Sequence, residues 1–132
     1  MVNKFSFSLF LLLLCFFNFS YAENNPPVGA PMVLIDEKLY YKDWPVRRNT
    51  KILLELNIFR KILSVFDEQS DHEIVIRFPG GDRGNAWAIE FKEWLVSLGI
   101  PSQYIFLESA SGGVDYLVII LEFSNFRIGD QE

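Results

Sequence analysis

Five consecutive residues, Gly80-Gly81-Asp82-Arg83-Gly84, have the strongest claim to chemistry in this sequence, with Arg77 three positions ahead of them. Glycines let a backbone approach a bound group closely, and a helix starting just beyond offers unpaired N–H groups and a positive dipole end. Together these suit an anion such as a carboxylate or phosphate, or a partner carrying one, and Arg77 and Arg83 add charge. The same residues also make a plain chain reversal in which Asp82 or Asn85 caps the helix. A nucleotide loop is excluded: the Gly-Lys-Ser/Thr ending of a P-loop is absent, and Gly80, Gly81 and Gly84 do not follow Gly-x-Gly-x-x-Gly spacing.

Catalytic sets are thin. His72 is the single histidine and lies between Asp71 and Glu73 with no nucleophile motif, which reads as an exposed loop histidine rather than a triad member. Asp82 with Glu90 or Glu93 would give an acid and a base for a small exported hydrolase, although glutamates at that spacing are also an ordinary solvated helix face. One histidine and scattered carboxylates supply no ligand spacing, so neither a metal nor a cofactor is expected. Trp87 and Trp94, seven apart on one helix face, form a candidate interaction surface if exposed. Otherwise they complete the core with Trp44.

The elements that position these residues follow from periodicity. Met32 to Ile35 and Leu39 to Tyr41 are β-prone runs around Asp36-Glu37-Lys38, either a small hairpin or one bent strand. Asn49 or Thr50 caps a helix to about Glu68, with Ile52, Leu56, Phe59, Leu63 and Phe66 facing the core and Leu54, Ile58, Ile62 and Val65 widening that surface. After the polar loop Asp67 to Asp71 come a strand from Ile74 to Phe78, the glycine turn, and a helix from about Asn85 to Leu98 that buries Ala88, Phe91, Leu95 and Leu98. Gly99 suits a left-handed helix end, Ile100 folds back, and Pro101 forbids continuation. Tyr104 to Leu107 is a third β segment. Asp115 to Phe123 is the last, its apolar run Tyr116 to Leu121 suiting a central strand covered on both faces.

The expected fold is α+β, two helices packed on one face of a mixed β-sheet in the order strand-helix-strand-helix-strand-strand. It occupies 32–123, between a flexible Pro-rich leader at 23–31 and a polar tail at 124–132.

Residues 1–22 read as a cleavable export signal. Lys4 gives a positive start, and the Phe- and Leu-rich run from Phe5 to Phe19 is shorter than the ~20 apolar residues of a membrane span. Ser20 and Ala22 place small side chains at the cleavage positions. Cleavage after Ala22 puts the product in the periplasm or outside the cell; the alternative is that the run stays as an anchor. Cys15 is the single cysteine and leaves with the signal, which removes disulfides and thiol chemistry from the remainder. The chain carries 17 acidic against 12 basic residues, and its adjacent basic pairs are Arg47-Arg48 and Arg60-Lys61, so nucleic acid is not an expected partner.

A strand, a glycine turn with Asp82, and a helix ending Leu95-x-x-x-Gly99-Ile100-Pro101-Ser102 before another strand resemble the C-terminal domain of OmpA-like peptidoglycan-binding proteins. The segment Thr50 to Phe78 fits the order of that family as well. The resemblance implies a loop aspartate at Asp82 that holds the diaminopimelate of a cell-wall peptide; the position of the family's helix arginine holds Trp87. A fainter likeness to DUF218-type exported proteins rests on Gly80-Gly81, Gly99-Ile100-Pro101 and the stretch Ile105 to Ser111.

The function these features imply is a small exported envelope protein acting as a non-enzymatic binding or assembly module, with a secretion or conjugation apparatus as one setting. Its partner would be another envelope protein or a cell-wall component. The alternatives are a peptidoglycan-binding OmpA-like domain and a small exported hydrolase.

Overall fold

The computed structural model describes residues 31–124. The expected export signal with its cleavage position, the leader up to residue 30 and the tail from residue 125 lie outside the described residues. Of the two readings of the first β segment, the bent strand holds: β1 (Val33–Tyr40) is continuous, with its register shifted between Val33 and Ile35. Ile35 and Leu39 are buried while Asp36, Lys38 and Tyr40 are exposed, the period-two alternation of a strand with one face on the core.

A 3-10 turn at Tyr41–Asp43 carries Trp44 into the core. Asn49 then caps α1 (Thr50–Glu55), its side-chain oxygen accepting the N–H of Ile52 at 2.9 Å. The single helix expected to Glu68 is in fact two, because Leu56 is extended (φ −70°, ψ 123°) and α2 (Asn57–Val65) starts afresh. At ~100° per residue, a straight helix would turn Leu53 and Ile62, nine positions apart, to opposite sides. The break brings both to full burial together with Phe59, and buries Ile58 beside them. Ile52, Leu56, Leu63 and Phe66 of the expected stripe are only half-buried.

The remaining elements are β2 (His72–Phe78), α3 (Asp82–Ser97), β3 (Ile105–Ser109) and β4 (Tyr116–Phe123). The end of α3 is as expected: Gly99 takes φ 107°, the N–H of Ile100 returns to Leu95 O at 3.1 Å, and the Ile100 side chain is buried. The four-stranded sheet has the order β1-β4-β2-β3, with β2 and β3 parallel and the other pairs antiparallel. β4 is thus central. The fold is α+β, a helical layer on a mixed sheet.

All three helices share one core with Ile35, Leu39, Ile74, Ile76, Leu117, Ile119 and Leu121 from one sheet face. Phe59 and Phe91 lie at its centre, ring centroids 4.8 Å apart. Among the described residues no helix lies over the opposite face, so the apolar run of β4 does not mark a strand with helices on both sides. Nor is any described helix long and apolar enough to cross a membrane.

Candidate functional site

The glycine turn joins the end of β2 to the start of α3. Gly81 has φ 89°, a backbone conformation that favours glycine, and stands at the N-cap with no side-chain cap bond. Neither Asp82 nor Asn85 therefore caps the helix. Asp82 is its exposed first residue, with its charge at the positive dipole end, and the N–H of Asn85 goes to Gly81 O at 3.1 Å. Gly84 is buried against Pro79, where an added Cβ would overlap the proline carbonyl. That close approach lays the first turn of α3 on the end of β2.

Beside this turn lies a pocket of about 180 Å³, walled by Pro79, Gly80, Arg83, Gly84 and Trp87 on one side and by Tyr41, Val114 and Asp115 on the other. Tyr41 arrives there because its N–H donates to Asp115 O at 2.7 Å, tying the end of β1 to the start of β4. Its ring meets Trp87 edge-on at 5.1 Å, and the Arg83 guanidinium lies 3.9 Å from its centroid. Such a cation–π contact holds a guanidinium in place without using its N–H donors. Trp87 is itself buried, and its Nε1 has no hydrogen-bond acceptor among the described residues. Across Tyr41 is a more open hollow of about 510 Å³ that includes Lys42, Trp44 and Arg48.

The arrangement suits a small anionic group. Arg83 and the open start of α3 offer donors, Tyr41 an aromatic wall, and Asp115 an acceptor for any N–H next to that anion. The volume fits the end of a ligand rather than a whole drug-sized molecule, which needs at least ~300 Å³.

Of the residues singled out from sequence, Gly80, Arg83 and Gly84 line this pocket, while Gly81, the N-cap of α3, does not. Asp82 is not among the lining residues. Arg77 is elsewhere: alternation along β2 sends it to the sheet face opposite the helices, where its Nε donates to Glu108 Oε2 at 3.0 Å. Trp87 and Trp94 do not form a docking surface, since Trp87 is 5% exposed and Trp94 packs partly buried against the core.

His72 is likewise not an exposed loop residue. It opens β2, is 5% exposed, and its Nδ1 accepts the N–H of Asp67 at 2.9 Å while Phe123 closes on the ring edge-on. The carboxylates of the hydrolase reading stay apart. Asp82 and Glu90 are eight residues apart on α3, about 12 Å along its axis, and Glu90 is ion-paired with Arg48.

Sequence reasoning missed Tyr41 and Asp115. Their place depends on the long-range pairing of β1 with β4, and no local spacing announces it.

No protein-family model, curated protein or solved structure matches the chain.

Proposed function

We propose that this chain is a non-enzymatic binding module of the cell envelope, exported by residues 1–22, and that it takes an anionic group of a cell-wall component or envelope protein in the pocket between Tyr41 and the start of α3. The observation that carries this reading is the convergence of Tyr41 and Asp115 with Gly80, Arg83 and Gly84, from distant parts of the chain, on one concavity. Asp115 on the facing wall favours a carboxylate with an N–H donor beside it, as at the carboxyl end of a peptide.

The Gly99-Ile100-Pro101 helix end and an order that matches once α1 and α2 are counted as one broken helix support the OmpA-like resemblance. The ligand mode differs from that family's: the work falls to Arg83, because Asp82 lies outside the pocket and Trp87 replaces the helix arginine. Co-sedimentation with purified peptidoglycan tests this. Binding that survives Asp82→Ala and is lost in Arg83→Ala supports the reading. Loss with Asp82→Ala alone restores the family's mode, and no retention of the parent chain removes the cell wall as the partner.

A further inference from the structure

The sheet face turned away from the helices has an ordered charge pattern. Its middle row, read across the strands, is Asp36, Ile120, Val75 and Phe106. On one side stand Lys38, Val118, Arg77 and Glu108, and on the other Glu122 and Glu73. Val75 and Ile120 are buried at the centre, whereas Phe106 beside them is 46% exposed.

Among the described residues neither carboxylate of the acidic row has an ion-pair partner. Glu73 and Glu122 are direct cross-strand partners, a like-charge pair that destabilises a sheet. The Glu122 carboxyl is pushed above its ordinary range, first by burial and then by Glu73.

A two-fold axis in the plane of contact, running along the middle row, lays each strand over its own copy in the opposite direction. Val75 then meets Val75, and the rows ~7 Å to either side exchange places. We propose that this face joins two copies of the chain in a two-fold dimer, with Glu73 of each copy over Arg77 of the other and Glu122 between the other copy's Lys38 and Arg77. The surface is self-complementary in charge, as a two-fold contact requires. Phe106 meets Phe106 at one margin. Asp36 is the one charged residue of the middle row and so faces its own copy, at the β1 edge, where the ~30° rotation between packed sheets moves the two carboxylates off one another, as it offsets the Phe106 rings at the β3 edge.

The test is the mass in solution, by sedimentation equilibrium, of the protein as it accumulates in the cell that makes it. The parent chain is expected to be a dimer. Glu73→Arg and Arg77→Glu should each weaken it about tenfold or more, and the double exchange Glu73→Arg with Arg77→Glu should recover most of that loss. Circular dichroism of each variant separates lost association from lost folding. A parent chain that is monomeric at ~100 μM, or a dimer indifferent to both single reversals, overturns the proposal.

Discussion

Gly84 stands so close to the carbonyl of Pro79 that no side chain fits between them. Because this contact sets the start of α3, it also sets one wall of the pocket. Gly84→Ala should therefore destabilise the fold by about 1–3 kcal/mol, as overpacking does. Gly80→Ala, which would meet nothing within 4 Å, should change stability by less than ~0.5 kcal/mol. Urea unfolding of the two variants checks the contrast.

Asn49, rather than Thr50, carries the cap of α1. Asn49→Ala should cost about 1 kcal/mol in the same measurement, and Thr50→Ala much less. Equal costs would contradict the cap geometry.

The pH dependence has two opposed parts. Glu122 is pushed above its ordinary value near 4.5 by burial and by Glu73, so the fold disfavours its ionised form. Its contribution is greatest below the unfolded value and is lost as pH rises through the folded one. Glu122→Gln should consequently raise the Tm at pH 7, and the two curves should meet near pH 4, measured at a dilution where the chain is monomeric. Asp67 runs the other way. The Ser70 hydroxyl and the Gln69 N–H hold its carboxyl below 3.8, so its contribution is present above that value and is lost as pH falls through the lower, folded one. Asp67→Asn should lower the Tm at pH 7 and leave it unchanged in strong acid.

Export has its own readout. Mass spectrometry of the accumulated protein should find Glu23 at the amino end. A product retaining Met1 in the cytosolic fraction would contradict the envelope assignment.

Local signals in this sequence were dependable where one residue type admits one backbone solution. Gly99-Ile100-Pro101 marked the end of α3 because a left-handed glycine followed by proline leaves no helical continuation. The run Tyr116 to Leu121 likewise marked a central strand. Where several registers bury comparable apolar surface, the pattern does not select one. The stretch from Thr50 to Phe66 is apolar on more than one side, and tertiary packing chose the break at Leu56 that sends Leu53 and Ile62 the same way. The burial of His72 is not visible locally for a related reason: its acidic neighbours Asp71 and Glu73 are not buried, and strand alternation alone turns the imidazole inward. Half of the pocket was legible in the glycine turn. Tyr41 and Asp115 were not, because only the pairing of β1 with β4 carries them there.

The central claim is that an anion sits at the start of α3. Amide and indole NMR shifts during titration with a soluble cell-wall peptide ending in free carboxylates test it most directly. The account predicts saturable shifts at Gly80, Gly81, Arg83, Gly84 and the Trp87 indole, abolished by Arg83→Ala and retained in Asp82→Ala. Shifts confined to other surfaces, or unchanged in Arg83→Ala, would contradict it.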